Sequence, residues 1–421
     1  MADLQSFSGM VAMLASYSLC RAFQLRRAKR KARIRILEAM PKVELHVHLD
    51  GALCNEALFS ALSEKDVVDK LPTSVTLGWD ASRPLNVKAE LEKCKTLTQF
   101  NCLCRCKGER SLNAMLRCFE IFTPIVRGNM QLLEENAFKF AENQFKQNVV
   151  YTEIRYSPHF LASTSTKTKT GVAPGAAREV VAAVTKGLIR GCEKFDIVIN
   201  QILCCINWRP EWADETVDLA YEFSQGGGNA EECSVVGVDI AAGEEHFDEV
   251  NFPQLHGPHL KAIGRAKRLG LNVTLHAGED TGPENILKAV ELYKATRVGH
   301  GYRAADNAKV LKSMAQRRIH FEVCPTSSFE TGGWQGNEGE WGSHPLINML
   351  DSGLSVSLNS DDPTVFCSSL TKEIMIVNDG MRVSVAQLLN IMNGAMEASF
   401  ASKEVKTMVC EKFLKRFKID Y

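Results

Sequence analysis

The sequence predicts an α/β protein built as one (β/α)8 TIM barrel with extra helices. Three observations favour this fold. Eight short runs rich in valine, isoleucine and leucine recur along the chain, helix-compatible stretches separate them, and no repeat, long linker or low-complexity tract interrupts residues 41–421. Near-continuous apolar runs are typical of parallel strands buried on both faces. Eight such strands with intervening helices match a barrel.

The predicted elements follow one another in the order that a barrel requires. The strands are expected at residues 43–48, 148–156, 197–205, 234–241, 271–278, 296–301, 318–324 and 354–360. Residues 135–145 and 259–270 have the spacing of amphipathic helices. The mostly helical segment 51–145 is expected to be an insertion, so the extra helices lie mainly between strands 1 and 2. An open doubly wound sheet is the alternative, but no glycine-rich phosphate turn follows the first strand.

Composition and charge narrow the class of function. The chain has 50 lysines and arginines against 50 aspartates and glutamates, so its formal charge is zero. Because nucleic-acid-binding proteins normally have a basic excess, we expect a small-molecule substrate and no nucleic acid. The 14 cysteines include no C-x-x-C pair. We interpret Cys102, Cys104 and Cys106 as reduced thiols of an intracellular protein, with a redox or accessory metal site as the alternative.

Residues 1–39 differ in character from the rest of the chain, which we expect to form one domain over residues 40–421. An apolar stretch at 9–20 is followed by a basic stretch at 26–35. The apolar stretch is too short to span a bilayer, and a secretory signal carries its positive charge before the apolar part. We therefore expect a poorly ordered or helical extension, no transmembrane segment and a cytoplasmic protein. Peripheral membrane association or organellar targeting through this extension stays open.

Polar side chains recur at the ends of the predicted strands. His46 and His48 end the first strand, and Asp361 follows the eighth. His276 and His300 lie at the ends of the fifth and sixth strands. Because the carboxyl ends of barrel strands meet at the mouth where active sites form, we expect these side chains to converge there.

The histidine pair points to a metal ion. Residues two apart on a strand face the same side, here the barrel interior. Burying two imidazoles without partners is costly, whereas one divalent ion satisfies both lone pairs. An H-x-H pair alone is a weak signal, but His276 and Asp361 supply two further candidate ligands. Imidazole and carboxylate ligands suit zinc, so we expect one Zn²⁺ per subunit.

Three more polar residues near these ends have a chemical and a structural interpretation. Glu279 can deliver a proton if its surroundings raise its pKa, or it can be an acid that stabilises a helix N-terminus. His300 can hold or deprotonate an attacking water molecule, or it can be a core histidine. Asp362 can bond to the metal shell or to the substrate.

Six motifs make the sequence similar to the adenosine deaminase family, which belongs to the metal-dependent amidohydrolases. The motifs are MPKVELHVHLDGA at 40–52, VVYTEIRYSPHFLA at 149–162, LHAGE at 275–279, RVGHGY at 297–302, EVCPTSS at 322–328 and SLNSDDP at 357–363. They occur in the family's order between about residues 40 and 400. The resemblance implies zinc-dependent hydrolysis of adenosine and 2′-deoxyadenosine to inosine or deoxyinosine and ammonia.

The resemblance also implies a role for individual residues. Glu279 corresponds to the proton donor to N1 of the purine, and His300 to the histidine beside the attacking water. The implied zinc ligands are His46, His48, His276 and Asp361. The implied substrate contacts are His48, Asp50 at the ribose, Asp362 at the purine ring and Gly243.

The glycine assignment is the one departure from the family's pattern. That pattern is D-x-A-G, whereas this chain reads Asp239-Ile240-Ala241-Ala242-Gly243, with one residue more. We predict that Gly243 contacts the purine, although the strict spacing points to Ala242.

Three other functions compete with this prediction. A deaminase of AMP or of N6-methyl-AMP would need to accept a phosphate, which the Asp50 carboxylate would repel. The secreted growth-factor branch of the family would need an N-terminal domain larger than residues 1–40. A non-catalytic binding protein on the same barrel would not need all the metal ligands and the proton donor, yet this chain has every one of them. The sequence leaves the oligomeric state open and is compatible with a monomer.

Overall fold

An eight-stranded parallel sheet forms the centre of the molecule. A computed structural model describes residues 28, 30–77, 80–225 and 233–416 of the chain. Strands that are neighbours in this sheet are also neighbours along the chain, and each neighbouring pair is parallel. The strands are β1 Lys42–His48, β2 Val149–Tyr156, β3 Val198–Ile206, β4 Val235–Ala241, β5 Asn272–Ala277, β6 Arg297–His300, β7 His320–Val323 and β8 Ser355–Leu358.

The sheet closes on itself where the chain leaves β8. Val47 and Asp361 form a parallel bridge. The His48 N–H donates to the Asp361 carbonyl at 2.8 Å, and the Asp361 N–H donates to the His46 carbonyl at 3.1 Å. This closure confirms the predicted barrel and excludes the open doubly wound sheet. It also brings Asp361 directly beside the two histidines of β1.

Helices surround the strands, as predicted. Residues 135–145 lie within the helix Met130–Lys146, and the helix predicted at 259–270 extends over Pro253–Arg268. Besides the helical residues 30–39, the described residues form the α-helices Asn55–Ala61, Lys65–Val68, Val87–Lys93, Leu97–Leu103, Leu112–Val126, Met130–Lys146, Pro158–Leu161, Ala176–Phe195, Ala213–Ser224, Pro253–Arg268, Pro283–Glu291, Ala308–Gln316, Pro325–Glu330, Pro345–Asp351, Pro363–Phe366, Leu370–Gly380, Val385–Ala398 and Lys403–Arg416. Among the described residues, no helix is long and apolar enough to cross a membrane.

The insertion between β1 and β2 is mostly helical, and it includes one element that the sequence did not predict. Val75–Leu77 and Asp80–Leu85 pair as a two-stranded antiparallel sheet. The second of these strands reads DASRPL. A proline and two charged residues give it no alternation of apolar and polar side chains, so it carries no strand signal.

The end of the predicted N-terminal extension contacts the barrel. Residues 30–39 are helical, and Leu37 is buried. Arg30 and Arg33 form ion pairs with Asp379 on the helix Leu370–Gly380. The apolar stretch 9–20 lies outside the described residues, and the boundary at residue 40 stays a prediction.

The three closely spaced cysteines, Cys102, Cys104 and Cys106, occupy different surroundings. Cys102 is exposed on the helix Leu97–Leu103, whereas Cys104 and Cys106 are buried. All three are free thiols. Burial raises the pKa of Cys104 to about 12, so it stays a neutral, unreactive thiol at physiological pH. This favours the structural interpretation for Cys104.

Candidate metal centre and active site

Three histidines and one aspartate converge at the carboxyl ends of the strands. One donor atom from each of His46, His48, His276 and Asp361 lies within 4.8 Å of the others, and all four residues are buried. The His46 Nε2 and Asp361 Oδ1 atoms are 3.2 Å apart, and the two Nε2 atoms of His48 and His276 are 3.3 Å apart. The structure thus brings together all four predicted ligands.

The donor atoms fit a divalent metal ion. His46 Nε2 and Asp361 Oδ1 are buried, yet neither forms a hydrogen bond within the described residues. Orphaned polar atoms of this kind are costly in a protein interior, and a cation shared between them removes that cost. A set of three imidazoles and one carboxylate is typical of zinc. A second group, formed by His300, Cys324 and Asp361, shares Asp361 and so belongs to the same centre.

A β-bulge in β1 sets the direction of the first two ligands. The pairing with β2 shifts register between Glu44 and Val47. The N–H groups of Leu45 and His46 both donate to the Asn359 Oδ1, at 2.9 and 3.1 Å. Bulges next to active sites redirect side chains, and this one turns His46 towards the barrel axis together with His48.

Two buried carboxylates hold the outer nitrogens of the histidine ligands. His46 Nδ1 lies 2.9 Å from Glu322 Oε2, and His276 Nδ1 lies 2.9 Å from Asp239 Oδ2. The Arg155 guanidinium contacts both carboxylates, Asp239 at 2.8 Å and Glu322 at 2.7 Å. Because the Glu322 carboxylate accepts from the Nδ1–H of His46, the Nε2 of that ring keeps its lone pair for the metal. Sequence reasoning missed these three residues, although a charged residue within a buried strand is itself a signal.

The hydrogen bonds of Tyr302 define the proton position on His300. The Tyr302 hydroxyl donates to the Cys324 carbonyl at 2.7 Å and accepts from the Cys324 N–H at 3.0 Å. Its only hydrogen is therefore used, so the contact with His300 Nδ1 at 3.1 Å has the imidazole as donor. Burial lowers the pKa of His300 well below its ordinary value. The neutral ring thus presents an unprotonated Nε2 to the centre, 4.0 Å from Asp361 Oδ2.

Glu279 lies beside His300 in the same cavity. Its Oε2 is 3.7 Å from His300 Nε2, and the residue is only 4% exposed. Burial, with a further contribution from the Asp361 carboxylate, raises the pKa of Glu279 well above its ordinary value. A raised pKa favours the protonated form of a carboxyl group, which can donate its proton.

Asp50 and Asp362 add two further carboxyl groups to the wall of the cavity. Asp50 Oδ1 lies 3.8 Å from His48 Nδ1, and its Oδ2 accepts from the Ser157 N–H at 3.5 Å. Burial raises the pKa of Asp50 to about 7 and raises that of Asp362 well above its ordinary value. One oxygen of each group is buried without a hydrogen bond among the described residues. Both oxygens are therefore available to a ligand.

The cavity above these residues has an apolar side and a polar side. The helix Leu112–Val126 covers it with Leu112, Met115, Leu116 and Phe119. No lysine or arginine is among the described residues that line it. The free volume is about 60 Å³, room for roughly two water molecules. A larger ligand therefore enters only if the apolar side chains of this helix move.

The two candidate residues for the purine contact occupy different places. Ala242 lines the cavity next to Ala241 and has φ +66°, a left-handed conformation unusual for a residue with a side chain. Gly243 has φ +113°, and a Cβ there would lie 2.9 Å from the Asn207 Nδ2. The assignment of Gly243 stays a prediction, and the geometry favours Ala242 as the residue that faces the ligand.

Comparison with known proteins shows the family of this chain. A family model described as adenosine deaminase matches residues 41–416. The chain belongs to the adenosine deaminase family. The adenosine deaminase of Mus musculus is 30% identical to it over 383 residues, which cover 90% of this chain and 97% of that protein. The adenosine deaminase of Xenopus tropicalis is 32% identical over 373 residues, with coverage of 87% and 92%. The protein therefore belongs to a family of hydrolytic deaminases.

Solved structures show the same fold. The N6-methyl-AMP deaminase of Arabidopsis thaliana superposes with a TM-score of 0.67 at 23% identity, covering 91% of this chain and 98% of that one. An amidohydrolase of Burkholderia ambifaria with bound Zn gives a TM-score of 0.69 at 20% identity, covering 91% and 93%. Both comparisons confirm the barrel. At identities of 20% and 23%, these structures show the fold but not the substrate. The substrate must therefore be inferred from the chemistry of the site.

Proposed function

We propose that this protein is a zinc-dependent deaminase that converts adenosine and 2′-deoxyadenosine to inosine and deoxyinosine with release of ammonia. The observation that carries the proposal is a buried carboxyl group with a raised pKa, Glu279, beside an imidazole with a lowered pKa, His300, and a buried set of metal ligands in one cavity. An acid and a base with pKa values pushed apart are the pair that hydrolysis of an amidine requires.

The metal centre would activate the water. His46, His48, His276 and Asp361 would hold a zinc ion, which would lower the pKa of a water molecule towards neutral. The neutral His300 orients this water and takes up its proton at Nε2. After attack at C6 of the purine, His300 gives its proton to the amino group, which leaves as ammonia. The C6 hydroxyl returns a proton to Glu279, so both groups end in their starting states.

The carboxyl groups of the cavity bind and protonate the nucleoside. Glu279 donates its proton to N1, which makes C6 more electrophilic. Asp362, whose pKa is raised, donates a hydrogen bond to a ring nitrogen of the purine, and the free oxygen of Asp50 accepts one from a ribose hydroxyl. Ala242 or Gly243 supports the purine on the opposite side.

The charges of the cavity favour a nucleoside over a nucleotide. A phosphate group needs guanidinium, ammonium or backbone N–H partners, and the described lining residues include neither lysine nor arginine. It would instead meet the carboxyl groups of Asp50 and Glu120, both on the cavity wall. AMP and N6-methyl-AMP are therefore poorer candidate substrates than adenosine. A protein of the same fold, from Arabidopsis thaliana, is nevertheless named an N6-methyl-AMP deaminase.

An ultraviolet assay of adenosine conversion, with AMP as the competing substrate, tests the proposal. We expect turnover of adenosine and little of AMP, and equal turnover of both would contradict the nucleoside assignment. Glu279→Gln should lower kcat by about 10²–10⁴-fold, the usual contribution of a general acid. Glu284→Gln, an exposed change five residues away, is the matched control. Full activity of Glu279→Gln would refute its role, and a metal-free, inactive wild-type protein would favour a non-catalytic binding protein.

We also propose that the protein is cytoplasmic. The cysteines of the described residues are all free, as is usual in a reducing compartment. Fractionation of cells that express the full chain tests this, and recovery in an organelle would point to residues 1–39 as a targeting segment.

A further inference from the structure

The carboxylate of Glu244 collects the hydrogen bonds of the loop that carries Glu279. Glu244 follows β4 and is 2% exposed. Its Oε1 accepts from the N–H of Glu279 at 2.8 Å and of Asp280 at 3.4 Å, and its Oε2 accepts from the N–H of Gly278 at 2.9 Å. Two side chains, Thr281 and Asn285, donate to the same Oε2. Five donors satisfy all the hydrogen-bonding capacity of the two oxygens of this buried carboxylate.

The three backbone donors are consecutive, which fixes the shape of the loop. Successive N–H groups converge on one anion only when the chain alternates between right- and left-handed conformations. Gly278 supplies the left-handed residue, with φ +67°. A Cβ at Gly278 would lie 2.6 Å from the Ile286 side chain, so glycine is favoured at this turn both by its φ and by the close packing.

We propose that Glu244 is a positioning residue for the acid Glu279. It acts through the loop of residues 278–281 and holds the Glu279 backbone so that the carboxyl group faces the purine N1. The inference rests on the proposed function, in which Glu279 is the proton donor. Charge-assisted hydrogen bonds are strong and directional, and a displacement of about 1 Å at a reacting group can lower the rate 100-fold.

Glu244→Gln tests this role, because glutamine keeps the shape but replaces one acceptor oxygen with a donor that faces backbone N–H groups. We expect kcat for adenosine to fall by about 10–100-fold, with KM changed by less than about threefold. In the Glu279→Gln background the same change should lower kcat by less than about threefold, because residues that act through one another are not additive. A purely structural defect would lower both backgrounds equally. Glu249→Gln, the same change at an exposed glutamate five residues further along the chain, should have no effect.

Two further measurements keep the test independent of folding and of substrate. Asn285→Ala removes a donor from the helix Pro283–Glu291 and should lower kcat in the same direction, but less. Amide hydrogen exchange at residues 278–280 should be slow in the wild type and faster in both variants, whether or not adenosine is the substrate. Unchanged exchange, or losses of kcat that multiply with Glu279→Gln, would overturn the role of Glu244. Absence of adenosine turnover in the wild type would overturn the proposed function alone.

Discussion

Replacement of Asp50 by asparagine should stabilise the metal-free protein while it impairs the enzyme. Burial raises the pKa of Asp50 from 3.8 to about 7. The folded state therefore keeps a proton that the unfolded chain loses near pH 4. At 1.36 kcal/mol per pKa unit, the charged carboxylate costs at most about 4 kcal/mol of stability once the pH exceeds 7. Water entry into the cavity reduces this, so we expect a gain of about 1–3 kcal/mol from the neutral amide.

The stability gained from Asp50→Asn should depend on pH in a way that few other substitutions share. Between the unfolded and folded pKa values, folding takes up a proton, so the stability of the wild type falls as the pH rises from about 4 to 7. Asp50→Asn removes this slope. The difference in Tm between variant and wild type should grow from pH 5 to pH 7, stay constant above pH 7, and reach about 1–4 °C for a chain of this size.

Differential scanning fluorimetry of chelator-treated protein measures this difference, and kcat/KM for adenosine measures the cost to function. We expect kcat/KM to fall, because the ribose loses a charged acceptor, and the ratio of AMP to adenosine turnover to rise, because the repulsion of phosphate is removed. A difference in Tm that does not vary with pH would refute the reasoning. It would mean that Asp50 is held in its charged form by the folded protein.

Three further predictions concern the metal, the purine contact and pH. Metal analysis should find about one zinc per wild-type chain and less than about a tenth of that in His276→Ala, since a lost ligand and its open position weaken binding strongly; full occupancy would exclude this ligand set. Ala242→Gly should raise stability by about 1 kcal/mol, because glycine prefers the left-handed conformation, and should change KM for adenosine; an unchanged KM would favour Gly243 as the contact. The value of kcat/KM should fall at high pH as Glu279 loses its proton, and at low pH as His300 gains one. Because the pKa of Glu279 is raised and that of His300 is lowered, the plateau between them should include neutral pH. A maximum below pH 5 would contradict these assignments.

The parts of the site that lie on strands could be predicted from the sequence. The apolar runs identify the strands, and parallel strands of a barrel have their carboxyl ends on one side. His46, His276 and Asp361 were therefore expected to meet although more than two hundred residues separate the first from the second along the chain. The structure places their donor atoms within 4.8 Å of one another.

The parts that depend on pairing between distant side chains could not be predicted. Asp239 was read only as the start of a loop motif, and no local pattern shows that its carboxylate holds His276. The contact of Tyr302 with His300 is local, but the direction of its hydrogen bond depends on the Cys324 backbone, which follows β7. The choice between Ala242 and Gly243 likewise depends on backbone angles that one extra residue alters.

The buried charges beneath the metal ligands explain why the site is rigid. Arg155 lies between Asp239 and Glu322, and each of these carboxylates holds one histidine ligand, His276 and His46. Removal of one member of such a buried pair leaves an uncompensated charge at a cost of about 3–5 kcal/mol. The charges are tolerated because all of them are paired within the barrel. The ligand geometry therefore belongs to the core of the fold, whereas the helix that covers the cavity and the loops around it can change the substrate without moving the metal ligands.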